Sequence, residues 1–224
     1  GASPGMIQSS RDQGDAIPSG SSGGGSVTKP DNVREVAVEY VAPVAPCLRL
    51  TYSDYCQIPP GQQRYELIEG ALRVVPSPSV AHQEVSKRLY RALVEWIEDR
   101  GLGKVYFAPL DVVLSEYDVV QPDLLYVSSE RIGIVKEANI WGSPDLVVEV
   151  LSPGTAGWDR KIKRQTYARF GIRELWLVDP ESRSIEVATL TDGDLSTSSA
   201  YGPGSTLRSP ILPGFSLSVD IVFP

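Results

Sequence analysis

The segment at residues 146–151, Leu-Val-Val-Glu-Val-Leu, constrains the fold of this chain more than any other. Apolar residues at both alternating positions are typical of a strand that is covered on both faces, so other layers must pack against its sheet. Glu149 lies inside this run, and an ionised carboxylate buried there is costly unless a positive group meets it. The alternative is an edge strand at the surface, with Glu149 pointing outward.

The pattern around this strand predicts an α/β fold with a mixed central sheet, flanking helices and an N-terminal hairpin. The hairpin turns at Glu69-Gly70, and glycines are expected to end both helices, at Gly101 and Gly171. Asp159 is the expected N-cap of the second helix. The predicted elements are a hairpin at 65–75, helices at about 81–100 and 160–170, and strands at 105–114, 119–127, 146–151, 174–178, 185–189 and 215–219.

The domain organisation follows from a change in composition along the chain. Residues 1–32 contain no aromatic residue and many glycines and serines, which predicts a disordered tail. Residues 1–5 precede the only methionine, Met6, and we interpret them as a cloning remnant. Residues 33–50 are interpreted as an N-terminal extension with a candidate strand, and residues 51–224 as the folded domain.

Composition excludes several classes of protein. The single histidine, His82, rules out a multi-histidine metal site, and two cysteines are too few for a disulfide framework. No apolar run is long enough to span a membrane and no secretory signal pattern is present, so we expect a cytoplasmic protein without membrane contact. A formal net charge of −7 argues against a protein that holds nucleic acid by bulk charge alone.

A second carboxylate is expected close to Glu149. Gln121-Pro122-Asp123 precedes an apolar run, and a proline at that position indicates an edge, a bulge or the start of a strand. Asp123 then also needs a partner, and two carboxylates that converge from adjacent strands can hold a divalent metal ion. The alternative is that Asp123 only caps a turn.

Lys163 is the candidate partner for these carboxylates. At about 100° per residue it lies about 35° from the centre of the apolar stripe of the second helix, so it tilts toward the core. Glu149 lies on the strand that leads into this helix, which makes an ion pair between them plausible by position. The alternative is that Lys163 extends along the helix edge to reach solvent.

The remaining basic residues of this helix, Arg160, Lys161 and Arg164, are predicted on the opposite side. They form the only concentrated positive patch in the sequence and could contact the phosphates of a nucleic acid. A solvated helix face is the alternative.

Asp123, Glu149 and Lys163 together have the chemical logic of phosphodiester hydrolysis. Two carboxylates can hold Mg²⁺, and a nearby lysine can orient water or stabilise charge on the phosphoryl oxygens. This arrangement resembles that of the PD-(D/E)XK nucleases.

A longer series of motifs is similar to the Uma family of restriction endonucleases, which has the restriction-endonuclease-like fold. The resemblance covers residues 51–224. Its motifs are Tyr65-Glu66-Leu67-Ile68-Glu69-Gly70, Pro76-Ser77-Pro78 with His82, Val112-Val113-Leu114-Ser115-Glu116, Val120-Gln121-Pro122-Asp123-Leu124, the strand containing Glu149 with its flanking prolines, Tyr167-Ala168-Arg169-Phe170-Gly171 and Trp176-Leu177-Val178-Asp179-Pro180.

The resemblance implies roles for individual residues. Asp123 and Glu149 match the two acidic metal ligands, and Lys163 matches a lysine that has moved to the following helix, because Leu151 occupies the usual lysine position. Glu66 matches a recurrent hairpin glutamate that is either a further ligand or a structural hydrogen-bond partner. His82 matches a position that is often histidine, where a capping or packing role and an accessory role in catalysis are both open.

We therefore predict an endonuclease dependent on Mg²⁺, with Mn²⁺ as a substitute, that acts on DNA as a homodimer. One alternative is a non-catalytic module that binds nucleic acid or a protein and keeps the fold, which the acidic composition favours. Another is a phosphodiesterase for small molecules or a toxin-like accessory protein.

Overall fold

The computed structural model describes residues 48–59, 61, 63–152, 157 and 159–223. The predicted tail at residues 1–32, the interpreted cloning remnant within it and the candidate strand of the N-terminal extension all lie outside these described residues. The account that follows concerns the folded domain.

Thirteen strands and three α-helices form the described part of the chain. The helices are α1 (Tyr52–Tyr55), α2 (Val80–Ile97) and α3 (Arg164–Arg169). The strands are β1 (Arg64–Ile68), β2 (Ala71–Val75), β3 (Gly103–Phe107), β4 (Val112–Ser115), β5 (Asp118–Val120), β6 (Leu124–Ser128), β7 (Ile140–Trp141), β8 (Leu146–Val150), β9 (Glu174–Asp179), β10 (Ser184–Thr191), β11 (Asp194–Tyr201), β12 (Thr206–Arg208) and β13 (Ser216–Ser218).

Two sheets carry most of the strands in the described residues. The larger sheet has the order β11-β10-β9-β8-β6-β3, and the smaller has the order β2-β1-β5-β4-β7. Strands β8 and β9 are parallel, whereas β8 and β6 are antiparallel, so the larger sheet is mixed. A mixed sheet with flanking helices is the fold class that the sequence predicts.

Strand β8 is buried at all five positions, as its apolar sequence predicts. Leu146, Val148 and Val150 pack with the buried stripe of α2 on one face of the larger sheet. Val147 packs on the other face with residues of α3 and of the smaller sheet. The strand therefore lies at the centre of a layered structure, and Glu149 occupies a buried position within it.

The hairpin and the first helix agree with their predictions. Strands β1 and β2 pair in register around the turn at Glu69 and Gly70, both of which have positive φ. Helix α2 begins after Ser79, whose side chain accepts a hydrogen bond from the His82 N–H. The chain leaves this helix through Gly101, with a φ of +65°.

Two predicted strands are each divided between the two sheets. The prediction at residues 105–114 becomes β3 and β4, and the prediction at residues 119–127 becomes β5 and β6. Pro109 and Pro122 lie at the two breaks, and a proline cannot donate a backbone hydrogen bond to a neighbouring strand. Between β3 and β6 the chain therefore passes from the larger sheet to the smaller one and back.

The second predicted helix has two parts. Residues Asp159–Lys163 form a π-helical turn, and α3 follows directly, with no side-chain capping bond at its start. The prediction of one α-helix capped by Asp159 is wrong, because the wider π turn occupies its first residues. The helix does end as predicted, at Gly171, which has a φ of +73°.

Candidate active site

The buried carboxylate of Glu149 is in contact with Lys163. Lys163 Nζ lies 3.1 Å from Glu149 Oε1 and 3.1 Å from Oε2. Both residues are buried, with 3% of Glu149 and 6% of Lys163 exposed. The Tyr167 hydroxyl also donates a hydrogen bond to Glu149 Oε1. A buried charge needs such partners, and Lys163 turns inward as its helical phase predicts.

Glu66, a residue of the smaller sheet, contacts the same lysine. It lies in β1, is 3% exposed, and its Oε1 is 3.1 Å from Lys163 Nζ. The same oxygen accepts a hydrogen bond from the Gln121 backbone N–H at 2.9 Å. Lys163 therefore lies between two carboxylates, one from each sheet, which offsets the repulsion that they would otherwise exert on each other.

A further layer of hydrogen bonds, formed by Gln121, Asp111 and Tyr55, is connected to Glu66. The Gln121 side-chain amide donates to Asp111 Oδ1 at 2.7 Å, and the Tyr55 hydroxyl donates to the same oxygen at 3.0 Å. Burial, followed by the nearby Asp111 carboxylate, raises the pKa of Tyr55 well above its ordinary value. Tyr55 therefore stays a neutral donor at physiological pH, and Gln121 connects this layer to Glu66.

Asp123 directly precedes β6, the strand that pairs with the Glu149 strand β8. The register pairs Leu124 with Val148, and one further antiparallel step would place Asp123 opposite Glu149. Asp123 Oδ2 accepts a hydrogen bond from the Val150 backbone N–H at 2.8 Å. The two predicted acidic ligands therefore belong to neighbouring positions of adjacent strands.

His82 contacts Asp123, a relationship that the sequence does not predict. His82 Nε2 lies 3.1 Å from Asp123 Oδ2, and only 7% of His82 is exposed. A signal did exist, because His82 lies three residues before Val85 on the stripe that α2 buries. A cavity of about 320 Å³ adjoins the ring and is lined by Ser79, Ala81, His82, Leu151, Ser152, Asp179, Pro180 and Glu181.

Tyr167 is the other site residue absent from the predictions. Tyr167 occurs in the sequence motifs only as part of a family signature with no role of its own, yet its hydroxyl contacts Glu149. Tyr167 follows Lys163 by four residues, a spacing that places two side chains on the same helical face. That spacing is the signal by which the sequence could have indicated it.

The donor set suits a hard divalent cation. Asp123, Glu149 and Glu66 offer carboxylate oxygens, which Mg²⁺ and Mn²⁺ prefer. Asp123 Oδ1 makes no hydrogen bond within the described residues, whereas Glu149 is held by Lys163 and Tyr167. The described residues contain no group of three or more His, Cys, Asp or Glu side chains already gathered as metal ligands. Asp123 is therefore the ligand that can bind a cation without first losing a hydrogen bond to the described residues.

The three basic residues predicted to contact nucleic acid have different surroundings. Arg160 forms ion pairs with Glu186 and Asp179, and Arg164 forms one with Glu186 at 3.3 Å. Lys161 is exposed and makes no ion pair within the part of the chain that the structure describes. Arg160 and Arg164 thus turn toward carboxylates of the larger sheet, and Lys161 is the most accessible cation of the three.

The layered sheets and the buried acid–lysine cluster define a nuclease-like protein of restriction-endonuclease type. The chain belongs to the Uma2 family, described as "Putative restriction endonuclease", whose model matches residues 52–220. The family predicted from the sequence motifs is therefore confirmed. Comparison with curated proteins gave no match.

A protein from Anabaena variabilis ATCC 29413, described as a "putative nuclease belonging to DUF820", has the same fold, with a TM-score of 0.65 and 18% identity. That match covers 78% of this chain and 97% of the other. The type IIG restriction endonuclease BpuSI matches with a TM-score of 0.36 and 19% identity, over 67% of this chain and 17% of its own.

No helix within the described residues is both long and apolar enough to cross a bilayer.

Proposed function

We propose that this protein is a metal-dependent endonuclease that hydrolyses phosphodiester bonds in DNA. The observation that carries the proposal is the buried Lys163, held between Glu149 and Glu66 at 3.1 Å, with Asp123 at the adjacent strand position. Burying one ammonium and two carboxylates is costly, and a cluster of this kind is more common at reactive sites than in a purely structural core.

Asp123 and Glu149 would hold the metal ion. Mg²⁺, or Mn²⁺ in its place, would supply an activated water and offset the negative charge of the phosphodiester. Asp123 is fixed for this task by the Val150 N–H, and Glu149 by the hydroxyl of Tyr167.

Lys163 would stabilise the charge that develops on the phosphoryl oxygens. Glu66 keeps the ammonium group of Lys163 in place when a ligand draws Glu149 away, because it contacts the same nitrogen from the other sheet. The roles of Glu66 and Glu149 are therefore different, although both contact Lys163.

DNA is the proposed substrate because the family is described as restriction endonucleases. Lys161 is the side chain of the basic run best placed to reach a phosphate, since Arg160 and Arg164 are engaged by Glu186. A basic run with one accessible cation, on a chain of net charge −7, would bind a duplex weakly, and a second copy would double that contact.

We accordingly propose a homodimer. Strand β2 is an edge strand whose Leu72 and Val74 are 36% and 55% exposed on the same side. Antiparallel pairing of two β2 strands about Arg73 would place Leu72 of each copy opposite Val74 of the other. An exposed apolar edge of this kind favours pairing with a second chain.

A non-catalytic nucleic-acid-binding module is the second candidate. Leu151 favours it, because it occupies the position two residues after Glu149 where the simple acid-X-Lys motif has its lysine, so that motif is incomplete. The two candidates differ in whether a divalent cation produces cleavage.

The test is a cleavage assay with Mg²⁺ and with Mn²⁺ on plasmid and on single-stranded DNA, with Asp123→Ala as the inactive variant. Asp99→Asn, an exposed carboxylate elsewhere, is the matched control. Cleavage that needs the cation and is lost only in Asp123→Ala supports the endonuclease. DNA binding without cleavage under every condition supports the module.

A further inference from the structure

We propose that His82 is the positioning residue of Asp123: it fixes one carboxylate oxygen so that the other is presented to the metal ion. This inference rests on the proposed function and assigns His82 a task within the same site. His82 Nε2 contacts Asp123 Oδ2 at 3.1 Å, and the Val150 N–H reaches that same oxygen at 2.8 Å. Both contacts converge on Oδ2, and Oδ1 accepts no hydrogen bond within the described residues.

The contacts determine which partner donates. An ionised carboxylate has only acceptor oxygens, so as a metal-binding carboxylate Asp123 accepts at Oδ2 from both the Val150 N–H and His82. His82 must therefore carry its proton on Nε2. The other ring nitrogen, Nδ1, faces Ser86 Oγ at 3.5 Å, a distance at the limit of a hydrogen bond.

Asp123 needs this second contact because the Val150 N–H is, within the described residues, the one other group that holds its carboxylate. Asp123 follows Pro122 in the connection between β5 and β6, outside any strand, and its side chain is 17% exposed. With Val150 as its only partner, the carboxylate could rotate about the remaining hydrogen bond. A second donor from a different element restricts that rotation.

His82 is itself rigidly placed. Its backbone N–H is capped by Ser79 at 3.2 Å, and its ring begins the stripe that α2 buries with Val85 and Leu89. The ring also borders the cavity of about 320 Å³. Truncating the ring would enlarge this cavity beside Oδ2, and water entering there could not hold the carboxylate in a fixed orientation.

The first experiment reads the tautomer directly. The sequence contains one histidine, so a long-range ¹H–¹⁵N correlation spectrum of untagged protein shows only the ring of His82. We expect a protonated Nε2 in the parent and a shifted Nε2 resonance in Asp123→Asn. An unprotonated Nε2 at neutral pH would overturn the proposal.

The second experiment measures Mn²⁺ affinity by the electron paramagnetic resonance signal of the free ion. His82→Ala should weaken binding by about 10- to 100-fold, as for other residues that orient a ligand. His82→Gln should recover most of the loss, because its amide can donate from a similar position without transferring a proton. Gln83→Ala, an exposed neighbour on α2, should bind Mn²⁺ as the parent does.

The outcomes separate this inference from the proposed function. If the parent binds Mn²⁺ through Asp123 and His82→Ala binds it equally well, the positioning role is wrong and the nuclease proposal stands. If His82→Gln folds but binds as weakly as His82→Ala, the hydrogen bond is not what matters, and the role is again overturned. If the parent itself shows no binding that depends on Asp123, the proposed function and this inference fall together.

Discussion

Lys163 Nζ lies 3.1 Å from both carboxylate oxygens of Glu149, although 14 residues separate them in the chain. The lysine comes from the π-helical turn before α3 and the glutamate from β8. The pattern of the PD-(D/E)XK nucleases, which this arrangement resembles, places a lysine two residues after the second acid, and here Leu151 occupies that position. The chain therefore supplies the ammonium group from the next element.

Replacing Lys163 should separate catalysis from metal binding. In Lys163→Ala, cleavage should fall by about 10²–10³, the loss typical when one group that stabilises transition-state charge is deleted. Metal affinity should change little or rise, because a competing cation has left the carboxylates. Cleavage rate and Mn²⁺ titration, measured side by side on the purified variant, check both expectations.

Lys161→Ala is the control for this prediction. Lys161 is exposed and two residues away, so its removal should lower DNA affinity, mainly at low salt, without changing the rate on bound substrate. If Lys161→Ala stops cleavage and Lys163→Ala cleaves like the parent, then Lys163 does not have the catalytic role assigned to it.

The inward direction of Lys163 and the burial of Glu149 could be predicted because each depends on local periodicity. Glu149 has apolar neighbours on both sides, and Lys163 lies near an apolar stripe. The contact between Glu66 and Lys163 could not be predicted in this way, because it joins a strand of the smaller sheet to the π-helical turn, and the two residues are 97 positions apart. Such a contact depends on how the sheets pack, which no local pattern describes.

The strands also fall into two groups, those that a local sequence pattern predicts and those that it does not. Strands β8 and β9 have dense apolar sequences and were predicted, whereas β11 contains Ser196, Thr197, Ser198 and Ser199 and was missed. It is an edge strand with one side in solvent, so its sequence carries little hydrophobic alternation. Pro109 and Pro122 are themselves sequence signals for the two strand breaks. No sequence feature indicates that the chain passes from one sheet to the other at these breaks.

Asp145 should make stability depend on pH in the acid range. Burial alone would raise its pKa, but the hydrogen bond from the Ser128 N–H and the Arg131 guanidinium outweigh burial and hold the pKa of Asp145 below its ordinary value. A lowered pKa means that this contribution is present above the unfolded value of about 3.9 and is lost as the pH falls through the folded value.

Asp145→Asn should therefore destabilise the protein at neutral pH by about 2–3 kcal/mol, the scale of hydrogen bonds to a charged group. The difference from the parent should narrow as the pH falls. Urea unfolding at several pH values checks this, with the exposed Asp99→Asn as control. A difference that stays constant down to strongly acid pH would contradict the assignment.

The proposed β2 interface predicts that charged substitutions on β2 convert a dimer into a monomer. Leu72→Lys combined with Val74→Lys would place like charges opposite each other across the paired strands, which is destabilising. Light scattering at tens of micromolar should give a dimer for the parent and a monomer for the double variant. Val80→Lys, which changes an apolar residue that is 81% exposed on α2, should remain a dimer. A parent that is monomeric under these conditions rules out the homodimer.

Glu174 should affect stability in the opposite direction to Asp145. It is fully buried in β9, where Oε1 accepts from Trp176 Nε1 at 2.6 Å and Oε2 accepts from the Ile211 N–H at 3.1 Å. Burial raises the pKa of Glu174 above its ordinary value, although these donors oppose the effect. Its contribution is then complete below the unfolded value of about 4.3 and is lost as the pH rises through the folded value.

Glu174→Gln removes this dependence, because the amide does not titrate. At acid pH the variant and the parent should be similar in stability, since a protonated carboxyl and an amide each keep one carbonyl oxygen that accepts from Trp176 or Ile211 and turn a hydrogen-bearing atom toward the other donor. As the pH rises, the stability of the variant relative to the parent should increase. Urea unfolding from acid to neutral pH measures this, with the exposed Glu130→Gln as control. A variant that instead loses stability relative to the parent would mean that the two donors outweigh burial and that Glu174 is held as a carboxylate.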